Sequence, residues 1–323
     1  MKKISVGKNG GPEVLTVEEA QKPQISADEV LIDVAAAGVN FIDIYQREGL
    51  YPLALPFTPG LEGSGIVAEV GADVEKFSPG DRVAWTGQLG SYSEILAIPS
   101  EKLLHIPPEV SLETAASTML QGITAHYLVT SVYTIQAETQ ALVHAAAGGV
   151  GLLLTQMIRS RGGTVIGTVS SDAKADAVLR AGASEVINYE QEDFQSKVMS
   201  ITNGRGVDVV YDGVGQSTFA ESLRSLTTRG TLALFGQSSG PVAPFDPQML
   251  NQYGSLTLIR PNLADFTASE EELEWRGSEI FSSIVDKSLS VRVHDRYPLQ
   301  DASEAQRALA SRETLGKLML TME

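Results

Sequence analysis

The sequence has no cysteine among its 323 residues. This absence excludes a disulfide, a thiol nucleophile and a thiolate-bound zinc ion or iron–sulfur cluster. Histidine is scarce too, and the chain contains His105, His126, His144 and His294. No two of them are close enough in sequence to suggest a metal pair on one helix. The sequence therefore predicts no metal site, with histidines that are structural or lie at the surface.

The chain also lacks a long hydrophobic run, since no stretch approaches about 18 uninterrupted apolar residues. The start, MKKISVGKNGG, has two lysines but no apolar core of a signal peptide behind them. We therefore expect a cytoplasmic protein without membrane contact. Positive charge is in deficit, with 24 Lys and Arg against 40 Asp and Glu, a formal net charge of −16. This charge disfavours nucleic acid as a partner but permits a local basic pocket for one phosphorylated small molecule.

The length exceeds that of one typical domain and predicts two. The first third alternates short β-like runs with glycine and proline turns, as in EVLIDVAAAGV, GSGIVAEVG and DRVAWTG. This spacing predicts a compact, mostly antiparallel β domain. From about residue 122 strand and helix patterns alternate, with strand signals at ALVHA, TVIGTV, EVINY, VDVVYD, TLALFG and SLTLI. That alternation predicts a doubly wound α/β domain with a parallel sheet. The last run, KLMLTM, is expected to be a strand that returns to the first domain.

The stretch LVHAAAGGVG at 142–151 joins the first of these strands to a helix. In doubly wound sheets this is where the pyrophosphate of a dinucleotide meets the helix N-terminus, and glycines let it approach the backbone. Ala145, Gly148 and Gly151 fall at three-residue intervals, with Gly149 between the last two, while Ala146 stands where the usual first glycine would be. The helix that follows has one apolar face, made by Val150, Leu153, Leu154, Met157 and Ile158. The turn predicts a dinucleotide site; the alternative is a glycine turn that serves packing alone.

The residues after the second strand indicate which dinucleotide binds. An NAD enzyme usually has Asp or Glu there for the ribose hydroxyls. This chain has Ser170 and Ser171, then Lys174, which suit the acceptor oxygens and negative charge of a 2′-phosphate. Asp172 does not fit that pattern, and Ser171 could instead simply cap the next helix, with Lys174 facing solvent. We favour NADPH.

Longer segments carry a family resemblance. The runs ALVHAAAGGVGLLLTQMIR, GVNFIDIYQREGLYP, VINYEQEDF and VVYDGVGQ resemble quinone oxidoreductases of the zeta-crystallin type, within the medium-chain dehydrogenase/reductase superfamily. The resemblance covers nearly the whole chain. It implies a GroES-like catalytic domain from residues 1–121 and 263–323, and a Rossmann-type domain at 122–262. It also implies NADPH in the cleft, a homodimer and the reduction of quinones.

The resemblance also implies site residues. On the nicotinamide and substrate side it places Asn40, Tyr45 and Tyr51, which are the candidate catalytic residues. Other positions are expected to bind parts of NADPH, namely Thr124 and Tyr127 at the nicotinamide ribose and phosphates, Gly148, Gly149 and Val150 at the pyrophosphate, Ser170, Ser171, Lys174 and Tyr189 at the 2′-phosphate, and Phe235, Arg260 and Arg312 near the nicotinamide.

The chain departs from the zinc alcohol dehydrogenases of the same superfamily. Asn40 stands where they have a ligand cysteine, and Gly60-Leu61-Glu62 replaces their Gly-His-Glu. Chemistry without a metal suits a quinone, because its reduced oxygens are comparatively stable anions and need only positioning and hydrogen-bond donors. Asn40, Tyr45 and Tyr51 can donate, although either tyrosine could serve packing instead. Two alternatives stay open: reduction of an enone or 2-alkenal double bond, and a non-enzymatic NADPH-binding role, crystallin-like or RNA-binding.

Overall fold

The computed structural model describes residues 1–322, which divide into two compact units. The first unit contains Met1–Ile123 and the chain from Thr267 onward, and the second is Thr124–Phe266. The predicted domain boundaries, at 121/122 and 262/263, lie close to these divisions. Each unit is built around its own sheet.

The described residues form fifteen strands and ten α-helices. The strands are β1 (Lys2–Val6), β2 (Leu15–Glu19), β3 (Glu29–Val39), β4 (Glu62–Val70), β5 (Arg82–Thr86), β6 (Ile95–Pro99), β7 (Leu103–His105), β8 (Gln140–Val143), β9 (Thr164–Val169), β10 (Glu185–Asn188), β11 (Val207–Asp212), β12 (Leu226–Leu234), β13 (Thr257–Ile259), β14 (Val293–Pro298) and β15 (Lys317–Thr321). The helices are α1 (Phe41–Glu48), α2 (Leu112–Ala116), α3 (Met119–Tyr127), α4 (Gly149–Ser160), α5 (Asp172–Arg180), α6 (Phe194–Ile201), α7 (Phe219–Arg224), α8 (Gln248–Gln252), α9 (Glu270–Val285) and α10 (Ala302–Ala310). No helix within residues 1–322 is both long and apolar enough to cross a membrane.

The first unit is mostly antiparallel, as the glycine and proline spacing predicts. Its larger sheet has the order β14-β15-β3-β4-β5-β7, with β6 also paired to β3, and β1 and β2 form a separate ribbon. The long strand β3 is at the centre because its alternating apolar residues are buried, Val30 and Ile32 among them. The C-terminal strand β15 pairs antiparallel with β3, with Leu318 opposite Val39. The predicted return of KLMLTM to the first domain is therefore confirmed.

The second unit is the predicted doubly wound α/β domain. Its six strands are all parallel, in the order β10-β9-β8-β11-β12-β13. Successive residues Ala141, Leu142 and Val143 are all fully buried, which requires cover on both faces of the sheet. The chain builds outward from β8 in one direction and from β11 in the other. The gap between the carboxyl ends of β8 and β11 is therefore the topological switch point, where ligands bind in such sheets.

Candidate functional site

The glycine turn lies at that switch point, between the end of β8 and the start of α4. Gly148 is the N-cap of α4, with φ −73° and ψ 172°. A Cβ added at Gly148 would have the carbonyl oxygen of Ala145 as its nearest neighbour, at 3.2 Å, so the protein itself barely opposes a side chain there. A Cβ added at Gly151 would lie 2.5 Å from the same oxygen and 2.7 Å from the Cα of Ala146. Gly151 is thus required by helix–strand packing, whereas Gly148 leaves room for a ligand.

Ala145 holds this turn in an unusual backbone conformation. Its φ is 49°, in the left-handed region that costs a non-glycine residue roughly 1–2 kcal/mol. The flanking backbone compensates, since the N–H of Ala146 donates to the carbonyl of Thr168 (3.1 Å) and that of Gly148 donates to Ala145 (2.9 Å). The first N–H groups of α4 have no acceptor within the helix and attract an anion. The turn therefore offers anion-binding N–H groups near Gly148, Gly149 and Val150, and their contact with a pyrophosphate stays a prediction.

The apolar face of α4 is broader than the sequence predicts. Leu153, Leu154, Met157 and Ile158 are buried as expected. Val150 is only half-buried because it lies in the first turn of the helix, while Gly151, Leu152 and Thr155 are buried as well. The helix is therefore covered around more of its circumference than one face.

Three of the four residues predicted for the 2′-phosphate, Ser170, Ser171 and Lys174, gather at the carboxyl end of β9, and the fourth, Tyr189, follows β10. Lys174 Nζ donates to the hydroxyl of Ser170 (3.1 Å), and the Ser171 hydroxyl caps α5 by accepting the N–H of Lys174 (3.4 Å). Both hydroxyl oxygens accept in these bonds, so each keeps its O–H to donate to a phosphate oxygen. The discordant Asp172 accepts a hydrogen bond from Asn188 Nδ2 (3.1 Å) at the exposed surface. Asp172 therefore has a partner on the β10 side, and it stays the one residue here that does not fit a phosphate site.

Three other residues predicted near NADPH each follow a strand of the second unit, at the carboxyl ends of the sheet. Tyr189 follows β10 and is 47% exposed. Phe235 follows β12, and its ring packs where a Cβ on Gly213 would be, 2.9 Å away. Arg260 follows β13 and donates to the carbonyl of Leu234 (3.0 Å).

Thr124 and Tyr127 are both on α3. Thr124 is buried, and the buried ring of Tyr127 stacks on Phe266 with 4.4 Å between ring centroids. Arg312 belongs to the first unit, where it is exposed and has a left-handed φ of 61°. The structure therefore groups Gly148–Val150 in one turn and Ser170, Ser171 and Lys174 in another, while Arg312 belongs to a different unit.

In the first unit, Asn40 is the N-cap of α1 and is part of a buried polar network. Its Nδ2 donates to Glu62 Oε1 (2.8 Å) and makes a longer contact with the carbonyl of Gly38 (3.4 Å). Its Oδ1 accepts from Lys317 Nζ (2.7 Å). Glu62 and Lys317 form an ion pair with both side chains fully buried, and Glu62 Oε2 accepts the N–H of Leu120 (2.7 Å). Asn40 thus has its amide engaged, which favours a positioning role over direct donation to substrate.

The sequence reasoning missed Glu62 and Lys317 as one network. In the sequence, Glu62 stands out only as the glutamate of Gly60-Leu61-Glu62, the segment that replaces Gly-His-Glu of the zinc enzymes. The sequence does contain a sign of Lys317's role. It is the charged residue at the start of the apolar strand KLMLT, and a lysine buried in such a strand needs a partner. Gly38 is a further member, since an added Cβ would collide with the side chains of both Glu62 and Lys317.

Asp43, also on α1, lies beside this network and is fully buried. Its Oδ2 accepts from the N–H of Asn40 (2.9 Å) and from the hydroxyl of Tyr92 (2.9 Å). Its Oδ1 has no hydrogen-bond partner among residues 1–322. Burial raises the pKa of Asp43 to about 7, although the two hydrogen bonds and the charge of Lys317 oppose the rise. Burial and the adjacent Asp43 also raise the pKa of Tyr92 well above its ordinary value.

Tyr45 and Tyr51 form an aromatic cluster with Phe41. The rings of Tyr45 and Tyr51 meet edge to face with 5.4 Å between centroids, and those of Phe41 and Tyr45 are 6.2 Å apart. The N–H of Tyr51 donates to the carbonyl of Tyr45 (3.1 Å). All three rings are half-buried, so each retains an exposed part that can contact a flat ligand. The two predicted tyrosines are therefore brought together, Tyr45 on the helix that Asn40 caps and Tyr51 just after its end.

Comparison with known proteins supports this reading. Residues 26–108 match the family described as alcohol dehydrogenase GroES-like domain, and residues 149–275 match the zinc-binding dehydrogenase family. Despite that second name, no cluster of three or more His, Asp or Glu side chains in the described part of the chain could hold a metal ion. The predicted pairing of a GroES-like domain with a Rossmann-type domain is confirmed.

Whole-chain relatives are similar along almost the full length. The chain is 42% identical to quinone oxidoreductase 1 of Escherichia coli strain K12 over 98% of both proteins. It is 36% identical to a 2-haloacrylate reductase of a Burkholderia species over 98% of this chain and 97% of that protein. The solved structure of the E. coli quinone oxidoreductase complexed with NADPH matches with a TM-score of 0.98 at 42% identity, covering 99% of this chain and all of that one.

Proposed function

This chain belongs to the quinone oxidoreductases of the medium-chain dehydrogenase/reductase superfamily, and on that basis we propose that it reduces quinones with NADPH and without a metal. The observation that carries the proposal is the glycine turn at the switch point. There Gly148 leaves space beside a helix N-terminus, and Ser170, Ser171 and Lys174 lie at the end of the next strand. That donor set fits the pyrophosphate of a nicotinamide dinucleotide and the 2′-phosphate that distinguishes NADPH from NADH.

The residues of the second unit hold the cofactor. The N–H groups at the start of α4, from Gly149 and Val150, would bind the pyrophosphate. Lys174 and the serine hydroxyls would bind the 2′-phosphate, since lysine neutralises its charge and the hydroxyls donate to its oxygens. When bound, NADPH supplies a hydride from its nicotinamide ring.

Residues of the first unit are proposed to receive and orient the quinone. Tyr45 and Tyr51 offer ring surface for stacking and two phenol hydroxyls for the oxygen that becomes negative during reduction. Asn40 positions these rings, because it caps α1, the helix that carries Tyr45, and is fixed by Glu62 and Lys317. The exposed arginine Arg312 and the residues Phe235 and Arg260 stay predictions for the nicotinamide end.

The experiment is a steady-state assay of the purified chain that follows NADPH oxidation with a panel of 1,4-quinones. We expect turnover with NADPH and a clear preference over NADH. Tight NADPH binding without turnover of any quinone would contradict the enzymatic proposal and favour the non-enzymatic alternative.

Reduction of an activated carbon–carbon double bond is the second candidate function. A specific observation favours it, the 36% identity to a protein named 2-haloacrylate reductase. The same cofactor and oxygen-stabilising donors suit both reactions. Running 2-haloacrylate and 2-alkenals beside the quinones separates the two, and higher kcat/KM for the alkenes would replace the first proposal by the second.

We also propose a homodimer. The support is β13, which is the terminal strand of the parallel sheet and pairs with β12 on one side. The unpaired side of an edge strand is a template for another strand, and a second copy of the chain could pair there. Sedimentation equilibrium tests this, and a monomer at micromolar concentration would contradict it.

A further inference from the structure

His144 connects four elements of the second unit through a chain of buried side chains. It follows β8 directly, and its Nδ1 is 2.9 Å from the hydroxyl of Thr168 on β9. Its Nε2 is 3.0 Å from the hydroxyl of Ser222 on α7. The Ser222 hydroxyl in turn donates to Oδ2 of Asp212 (3.1 Å) at the end of β11. All four side chains are buried, so water does not compete for these bonds.

The hydrogen-bond directions in this chain are fixed by counting protons. The carboxylate of Asp212 can only accept, so the single hydroxyl proton of Ser222 is donated to it. The Ser222 oxygen must then accept from Nε2–H of His144. A neutral imidazole with a proton on Nε2 has a lone pair on Nδ1, which accepts from the Thr168 hydroxyl. Burial lowers the pKa of His144, which keeps the ring neutral.

We call this hydrogen-bonded chain of Thr168, His144, Ser222 and Asp212 the relay. It meets the backbone at two places near the switch point. Oδ1 of Asp212 accepts the N–H groups of Val214 (2.8 Å) and Gly215 (3.0 Å), which fixes the loop after β11. At the other end, His144 immediately precedes Ala145, the residue with the left-handed φ of 49°. The imidazole is therefore anchored on two sides next to the most strained residue of the glycine turn.

We propose that His144, held as the Nε2–H tautomer by Thr168 and the Ser222–Asp212 pair, is a positioning residue that keeps the Ala145 turn in its binding shape before NADPH arrives. The proposal rests on NADPH binding at this turn. It assigns no contact with the cofactor to His144 itself. Its effect is exerted through Ala145 and the loop at Val214 and Gly215.

The tautomer can be measured directly in the protein without ligand. Long-range ¹H–¹⁵N spectra of histidine-labelled protein distinguish the two neutral tautomers and the cation, and His144→Gln assigns the signal among the four histidines. We expect a protonated Nε2 and an unprotonated Nδ1. A proton on Nδ1, or an imidazolium at neutral pH, would overturn the relay.

The positioning role is tested by the affinity for NADPH, measured by fluorescence titration. Ser222→Ala leaves the imidazole N–H without its acceptor, and we expect the Kd to rise roughly 5- to 10-fold. Ser225→Ala is the matched control, because Ser225 is buried at the end of the same helix and its hydroxyl donates to the carbonyl of Glu221 (2.8 Å), outside the His144 chain. Its Kd should match that of the native chain. Thr168→Val breaks the other side of the relay and serves if Ser222→Ala does not fold.

A second substitution, at Ala145, tells whether the relay acts on NADPH binding through this residue or whether Ser222→Ala loosens the whole second unit. Glycine adopts the left-handed conformation without strain, so Ala145→Gly should recover affinity by a larger factor in the Ser222→Ala background than in the native chain. Equal factors in both backgrounds overturn the proposal. So does an unchanged Kd in Ser222→Ala and Thr168→Val while the native chain binds NADPH. Failure of the native chain to bind NADPH at all would instead contradict the proposed function itself.

Discussion

Replacing Gly148 with valine separates the binding role of the glycine turn from its packing role. Gly148 has an extended backbone that any residue can adopt, and an added Cβ meets the Ala145 oxygen at 3.2 Å, which a small shift relieves. The change removes glycine flexibility from the unfolded chain, a gain of about 0.4–1 kcal/mol, and loses a similar amount because valine is a poor N-cap. We therefore expect the free energy of unfolding to change by less than about 1 kcal/mol.

Binding should change far more than stability. The isopropyl group would occupy the space next to the first N–H groups of α4, so a pyrophosphate could not reach them. Each charge-assisted hydrogen bond lost costs about 1.5–3 kcal/mol, which weakens NADPH binding roughly 10- to 150-fold. Fluorescence titration with NADPH and thermal unfolding of the same samples measure both quantities.

Gly151→Val is the matched control, three residues along the same turn. Its Cβ would lie 2.5 Å and 2.7 Å from backbone atoms of Ala145 and Ala146, which cannot move as a side chain can. Overpacking of this kind costs about 1–3 kcal/mol or more, so this variant should lose thermal stability. The reasoning is refuted if Gly148→Val unfolds at the lowered temperature of Gly151→Val, or if it binds NADPH normally.

The remaining predictions concern the cofactor, the substrate, a buried acid and metal. Lys174→Ala should weaken NADPH roughly 10- to 150-fold and NADH much less, because only NADPH has the 2′-phosphate; equal losses in titrations with both cofactors would remove Lys174 from that site. Tyr51→Phe keeps the ring but removes one of the two proposed phenol donors, so kcat with a quinone should fall roughly 10- to 1000-fold. Asn40→Ala removes the group that Glu62 and Lys317 hold at the start of α1 and should lower kcat as well; near-normal kcat in both variants would contradict this placement of the quinone. Asp43 has a folded pKa of about 7 against 3.8 unfolded, so the folded state holds its proton more tightly and the native chain loses stability as pH rises between these values. The free energy of unfolding, measured with urea, should fall by up to about 1.4 kcal/mol per pH unit more in the native chain than in Asp43→Asn. The same pH dependence in both chains would contradict this prediction. Activity should survive exhaustive chelation, and a stoichiometric zinc ion found by elemental analysis would overturn the mechanism.

The features that the sequence predicts well are local ones. The glycine turn, the serines after β9 and Lys174 lie within about one strand–helix unit, so their spacing alone places them at one sheet edge. The alternation of strand and helix likewise predicts the parallel sheet. Gly148 and Gly151 look alike in sequence, however, because nothing local tells which of them faces a neighbouring backbone. Only the packing of α4 against the backbone of Ala145 and Ala146 distinguishes them.

The networks that the sequence does not predict join distant residues. Asn40 and Lys317 are 277 residues apart, and His144 and Ser222 are 78 apart. Their pairing depends on which strands become neighbours, which periodicity does not specify. Asn40 shows the consequence, since its position beside a lost metal motif suggests a free donor, whereas its amide is bonded to Glu62 and Lys317.

The position of β15 between β14 and β3 also sets an order of events during synthesis. The second unit is complete once residue 266 has left the ribosome, but the first unit lacks β15 until residues 317–321 emerge. Glu62 and its cation Lys317 are 255 residues apart, which at about 5–20 residues per second is a delay of roughly 10–50 s. During that time Ala36–Val39 of β3 lack their pairing with β15, and Glu62 has no ammonium partner. The second unit, which is inserted in the sequence of the first, can therefore finish folding before it.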